Sequence, residues 1–175
     1  MRLFVAIRLP YEVTKSLWTA ARELEGHWTG GRLMAPESYH ITLSFLGQQP
    51  EQRLEAIASA MDRCPCAPFR AALGELGLFA QRGGGVLWRA VLSPELCRLQ
   101  AQLARELEQA GFAQEPRPFQ PHITLARRVT LNPETNLAAL PVSAQSFGVE
   151  EMVLMHSRLS QQGASYQELH RRKLG

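Results

Sequence analysis

The chain has 175 residues, 45% hydrophobic and 20% charged, the usage of a single globular domain rather than of a disordered, collagenous or coiled-coil protein. Nineteen basic against sixteen acidic side chains leave a net charge of +3, so the chain is only mildly basic. Lys15 and Lys173 are the only lysines and the other 17 cations are arginines. Arginine grips phosphate bidentately and lysine does not, although genomic base composition drives the same bias and takes the larger share of it.

No run is long and apolar enough for a membrane helix, which takes about 20 residues. The opening Leu3-Phe4-Val5-Ala6-Ile7 stops at Arg8 and lacks the apolar core and cleavage site of a signal peptide. Cys64, Cys66 and Cys97 are odd in number, and Cys64-Pro65-Cys66 has neither redox nor zinc spacing. The expectation is a cytoplasmic protein with inert thiols, and a monomer by default.

In chain order, Arg2 to Arg8 reads as a buried strand, followed by a helix opening near Pro10 with Val13, Leu17, Ala20 and Leu24 on one face and a stop at Gly26. The strand His40-Ile41-Thr42-Leu43 comes next. A short helix carries Leu54, Ile57, Ala58 and Met61, and Phe69 to Phe79 is a strand. The run Gln81 to Gly85 has no Gly-Lys-Ser/Thr after it, so it reads as a turn rather than a phosphate cradle. Val86 to Leu92 is a strand, Ser93 the N-cap of a helix with Leu96, Leu99, Leu103, Leu107 and Ala110 on one face, and Gly111 its stop. The strand His122-Ile123-Thr124-Leu125 follows, then Phe147 to His156 and a final strand from Tyr166 to Arg171.

Two words of this chain recur in register. Ala21-Arg22-Glu23-Leu24-Glu25 returns 83 residues later as Ala104 to Glu108, and His40-Ile41-Thr42-Leu43 returns 82 residues later as His122 to Leu125. The chain is therefore read as one domain, 1–175, built from internal repeats of about 1–82 and 83–175. Its strand–helix–strand halves are compatible with parallel βαβ units or with antiparallel sheets carrying helices on one face.

Residues two apart in a strand share a face, so His40 joins Thr42 and His122 joins Thr124, while Ile41, Leu43, Ile123 and Leu125 face the core. A pseudo-twofold axis would bring the polar pairs together across one groove. Two facing histidines suit acid–base work, one ring neutral and one protonated, with threonine hydroxyls donating to a phosphoryl oxygen. That is the chemistry of phosphodiester cleavage or its reversal. A metal site wants three or more ligands, and neither histidine strand carries Asp or Glu, so no metal and no cofactor are expected. A serine nucleophile is disfavoured by the absence of G-x-S-x-G.

Several words carry a family resemblance: Phe4-Val5-Ala6-Ile7 with Leu9-Pro10, both His-Ile-Thr-Leu motifs, Phe45-Leu46-Gly47, Leu87-Trp88, Pro118-Phe119-x-Pro121-His122, and Ser157-Arg158-Leu159 with Gly163 and Tyr166. The chain resembles the two-histidine phosphoesterase superfamily, and within it the RNA 2′,3′-cyclic phosphodiesterases, also called 2′-5′ RNA ligases. The resemblance implies an α+β fold of two pseudo-symmetric lobes, each an antiparallel sheet backed by helices, with the active cleft between them. It implies hydrolysis of RNA 2′,3′-cyclic phosphate ends to 2′-phosphates, and ATP-independent 2′-5′ joining in reverse. Its carried-over roles are His40 as acid to the departing 3′ oxygen, His122 as activator of water, and Thr42 and Thr124 on the phosphate oxygens.

The resemblance also implies Phe45 against a base and Arg127 at the terminal nucleotide's phosphate region. Strict alternation points both toward the core, unless the strands end or bulge there; Arg128 is the fallback by parity. RNA ends with a 2′,3′-cyclic phosphate are the expected partner, with no membrane and no obligate protein partner. The rival readings are a cyclic phosphodiesterase for small nucleotides or ADP-ribose cyclic phosphate, and a non-catalytic RNA-end-binding protein. His27 and His170 are expected at the surface, His156 buried without a role, and Arg171-Arg172-Lys173 as a solvated tail.

Overall fold

The computed structural model describes residues 1–160 and 163–175, with the side chains of 159, 160 and 163 left undescribed. Among the described residues, ten strands and three α-helices follow in the order β1 (Arg2–Arg8), α1 (Tyr11–Glu23), β2 (Trp28–Thr29), β3 (Arg32–Leu33), β4 (His40–Gln48), α2 (Leu54–Asp62), β5 (Phe69–Phe79), β6 (Gly85–Leu92), α3 (Pro94–Gln109), β7 (His122–Leu131), β8 (Ser146–Val149), β9 (Glu151–Ser160) and β10 (Gly163–Lys173). Every strand pairing is antiparallel, in the order β10-β9-β1-β4-β7-β6-β5-β8, with β2 and β3 added onto β7. This is the α+β, two-lobed arrangement that the resemblance implies, and the parallel alternative falls.

The seam between the lobes is narrow. Between β4 and β7 a single pair, Ile41 with Ile123, carries the ladder. One lobe is β10-β9-β1-β4 and the other β7-β6-β5-β8, but β5 comes from the first half of the chain and β9 from the second. The two strands are equivalent under the 82-residue offset, Phe69 corresponding to Glu151. The first repeat thus sends β5 to the opposite lobe, and the second sends β9 together with β10. The helices cross as well: α1 packs against β7, while α3 packs against β4 and β5.

One core lies on the helix side of both lobes. Leu3, Val5 and Ile7 meet Val13, Leu17 and Ala21 of α1, Ile57 and Met61 of α2, and Leu96, Leu99, Leu103 and Leu107 of α3. The leucine stripe of α3 has the spacing of a helix buried along one face. Ser93 caps that helix, accepting a hydrogen bond from the Leu96 N–H at 3.2 Å, and Gly111 ends it with φ +81°. The first helix ends differently from expectation. Leu24 closes α1 in a right-handed conformation and a short 3-10 turn carries Gly26, so no left-handed glycine is needed there.

Two other expectations change. Phe147 to His156 is not one strand: it breaks at Glu150, β8 pairing with β5 in one lobe and β9 with β1 in the other. Arg171 to Lys173 belong to β10 rather than to a tail, and Arg171 pairs with Glu168 and Glu151. His170 is held by Asp62 of α2 at 2.9 Å. Arg89, equivalent by offset to the buried Ile7, is itself buried; it donates to the Gly74 carbonyl freed by an irregularity in β5 and to the Ser143 carbonyl at 2.8 Å.

Gly77 of β5 pairs with Trp88 of β6, and a methyl group there would fall inside the indole ring. Gly77→Ala is therefore expected to cost about 1–3 kcal/mol through overpacking, read as a lower urea midpoint at unchanged slope. An unchanged midpoint would show that the indole moves aside freely.

Candidate active site

The register of the Ile41–Ile123 pair builds the site. Ile41 and Ile123 are the paired residues, and extending their antiparallel register by one residue sets His40 toward Thr124 and Thr42 toward His122. Ile41 and Ile123 are wholly buried in the core, which turns all four polar side chains to the other face. Each histidine thus stands across from the threonine of the other repeat.

Both imidazoles are held the same way. His40 Nδ1 lies 2.6 Å from the Ser38 carbonyl and His122 Nδ1 lies 2.7 Å from the Gln120 carbonyl. A carbonyl oxygen only accepts, so Nδ1 carries the hydrogen in each ring and Nε2 is left for chemistry. Aromatic rings wall the histidines. Phe4 and Tyr166 lie 4.9 and 5.3 Å from the His40 ring, and Phe79 and Trp88 lie 5.0 and 6.2 Å from that of His122. Phe4, Ala6 and Val153 form a small second core beneath His40, separate from the helix-side core.

These surroundings set the titration. Burial pushes His40 down to about 4, and the charges of Arg127 and His122 push the same way against the Ser38 carbonyl. Burial also lowers His122, again with Arg127 and against the Gln120 carbonyl. Burial raises the Tyr166 hydroxyl, with the charges of Arg127 and Arg2 opposing. Arg127 therefore acts on both histidines and on Tyr166.

Paired bulges explain how Arg127 and Phe45 reach this face. Val5 faces Ser44 and Ala6 faces Thr42, so Leu43 is an extra residue in β4. Leu87 faces Ala126 and Trp88 faces Thr124, so Leu125 is the extra residue in β7. The two bulges are 82 residues apart. Each shifts the alternation by one, leaving Leu43 and Ser44 both buried, and Leu125 and Ala126 both buried. Phe45 emerges half exposed with the Arg2 guanidinium 5.0 Å over its ring, and Arg127 emerges exposed.

A second irregularity follows in each strand, at Leu46 and at Arg128. Arg128 has φ +60°, the only non-glycine residue with positive φ among those described. Two glycine turns enclose it. A Cβ on Gly31 would sit 2.5–2.7 Å from backbone atoms of Arg127 and Arg128, and one on Gly84 2.6–2.8 Å from those of Arg128. The glycine run at 83–85 thus serves close packing of a bulge.

All six sequence-predicted residues, His40, His122, Thr42, Thr124, Phe45 and Arg127, lie on the face opposite the main core. Sequence reasoning gave no site role to Phe4, Phe79, Trp88 and Tyr166. Their signal was an aromatic at a cleft-facing position of each flanking strand, invisible without the pairing. His156 is half-buried, and its Nδ1 has no partner among the described residues. No group of three His, Cys, Asp or Glu side chains able to hold a metal occurs among the described residues.

The arrangement is that of a two-lobed antiparallel phosphoesterase with one His-x-Thr strand from each lobe. Residues 13–161 match the family model described as the 2′-5′ RNA ligase superfamily, and the chain belongs to that family. It is 32% identical over 97% of its length to an RNA 2′,3′-cyclic phosphodiesterase of Archaeoglobus fulgidus, covering 98% of that protein. Against the Escherichia coli protein of the same name the identity is 30% over 97% of this chain and 94% of the relative. Among solved structures, a Thermus thermophilus protein superposes with a TM-score of 0.82 at 32% identity, covering 99% of this chain and 98% of that one. Escherichia coli LigT complexed with 3′-AMP gives 0.80 at 28%, covering 99% and 97%.

The histidine environment predicts a pH dependence of stability. His40 titrates near 6.5 when unfolded and near 4 when folded, so the unfolded chain binds the proton first. Stability is complete above about pH 6.5 and falls as the pH drops toward 4, by an amount on the order of 3 kcal/mol. Urea unfolding of wild type and His40→Asn across this range checks it. Parallel pH curves for the two would refute the His40 share.

Proposed function

We propose that the chain hydrolyses RNA 2′,3′-cyclic phosphodiester ends to 2′-phosphomonoesters by metal-independent acid–base catalysis with His40 and His122. The observation that carries this reading is the cross-strand arrangement itself: two histidines with free Nε2 atoms, each opposite a threonine hydroxyl, on one face of a two-lobed sheet. The relatives named RNA 2′,3′-cyclic phosphodiesterase support it over the small-nucleotide and non-catalytic alternatives. The 175 residues act as one two-lobed domain, and the reverse reaction joins RNA ends through a 2′-5′ bond without ATP.

His122, less buried than His40, takes a proton from water through Nε2 as the water attacks phosphorus. Thr42 and Thr124 donate to the phosphoryl oxygens as charge grows, and Arg127 stabilises the same charge. His40 gives its proton to the departing 3′ oxygen. Phe45 stacks on a base.

The acid must be charged, yet burial holds His40 neutral near pH 7 in the free protein. The substrate resolves this. A cyclic phosphodiester carries one negative charge, and an anion beside a buried imidazole favours the imidazolium. Binding therefore brings a proton with it. The enzyme avoids storing an unpaired buried cation before substrate arrives.

Three outcomes test the reading on a 2′,3′-cyclic-phosphate oligonucleotide. Turnover is unchanged by EDTA, and the product keeps its phosphate on the 2′ oxygen. His40→Ala and His122→Ala each lose about 10²- to 10⁴-fold in kcat, and a leaving group that needs no proton rescues only His40→Ala. The bell-shaped profile for kcat lies alkaline of that for kcat/KM, because bound anion raises the acid. Coincident profiles would remove the coupled proton uptake, and wild-type activity in either histidine variant would end the mechanism.

A further inference from the structure

Arg32 of β3 faces Arg127 of β7 across the sheet, while the next pair, Leu33 and Ala126, packs into the core. The two guanidinium-bearing side chains therefore leave the same face, the one carrying the histidines. Like charges directly opposite in an antiparallel pair repel and destabilise the sheet. Six other arginines, Arg8, Arg22, Arg63, Arg98, Arg117 and Arg171, pair with glutamates. Among the described residues, neither Arg32 nor Arg127 has a carboxylate within salt-bridge distance. Both are exposed, so their charges are free for a ligand.

We infer that Arg32 and Arg127 together form a seat for the phosphodiester on the 5′ side of the reacting nucleotide, so that the site is built for a polynucleotide end rather than a mononucleotide. This rests on the reading of the cleft as an RNA cyclic phosphodiesterase site. Arg127 is close enough to act on both histidines, whereas Arg32 is not among the charges that act on either. Arg32 stands one cross-strand step from Arg127, on the neighbouring strand. A guanidinium fork there matches a second phosphate, and an anion between the two arginines removes their repulsion. The Gly31 and Gly84 turns fix the Arg127–Arg128 backbone on which this seat depends. A nucleoside 2′,3′-cyclic monophosphate ends in a free 5′ hydroxyl and offers Arg32 nothing to hold.

The test compares a tetranucleotide ending in a 2′,3′-cyclic phosphate with a nucleoside 2′,3′-cyclic monophosphate. Arg32→Ala is expected to raise KM for the tetranucleotide about ten- to a hundredfold and to change KM for the monophosphate less than about twofold, since that substrate brings no phosphate to Arg32. Its salt dependence on the tetranucleotide should lose about 0.7 in logarithmic slope, the share of one single-strand phosphate. Arg32→Lys should recover part of the loss, keeping charge without the fork. Arg117→Ala, which removes an exposed arginine paired with Glu115, should change neither substrate. Equal losses on both substrates, or none on the tetranucleotide, would overturn the seat. A wild-type protein that turns over neither substrate would overturn the phosphodiesterase reading instead.

Discussion

The backbone pair between Ile41 and Ile123 is the constraint on which the molecule depends. Among the described residues it is the only ladder contact between β4 and β7, and it lies on the approximate twofold axis of the repeats. Through this one pair the strands of the two lobes run on as one sheet. Its absence would leave the histidines unregistered. One pair is enough to fix which residue faces which, because both isoleucines are wholly buried and strand alternation does the rest. The exchange of β5 and β9, and the crossing of α1 and α3, then hold the lobes together where the seam cannot. Their cohesion comes from apolar burial behind the sheet, which leaves the front free for polar groups.

Much of this was legible in the sequence, and the reasons differ from element to element. The duplicated His-Ile-Thr-Leu words, the leucine stripe of α3 and the Ser93 cap are local patterns, set by period and capping chemistry, and they read directly. Simple alternation fails at Phe45 and Arg127. Each lies just beyond a bulge that nothing local announces, since Leu43-Ser44 and Leu125-Ala126 look like ordinary strand residues. The break at Glu150 did leave a trace: the apolar alternation of Phe147 and Val149 changes parity at Met152 and Leu154 across Glu150-Glu151. Only pairing shows that the chain there leaves one lobe for the other.

The aromatic walls show what duplication preserves. Under the 82-residue offset Trp88 corresponds to Ala6 and Phe79 to Gln161, so the rings beside His122 have no aromatic counterparts at the same repeat positions beside His40. Phe4 and Tyr166 supply that wall instead, from β1 and β10. The backbone frame is common to both halves: the histidine, its carbonyl partner two residues earlier, the threonine and the bulge. The side chains that set the solvent environment are not. Desolvation is produced by any large apolar ring at the right distance, so it can be rebuilt from different residues. Hydrogen-bond geometry cannot, and it is retained.

The unequal burial of the two histidines follows from that freedom. Both rings are pushed toward the neutral form by burial and by Arg127, and on His40 the charge of His122 adds to both. An enzyme that needs one neutral and one charged imidazole gains from such asymmetry. Two identical rings sharing one proton would divide it evenly and leave half the molecules in the unproductive state. On the proposed mechanism, separating the environments would let the arriving anion decide which ring is charged, since the cation it creates is worth most where water is scarcest. The cleft therefore uses its symmetric backbone to place two histidines and its asymmetric side chains to tell them apart.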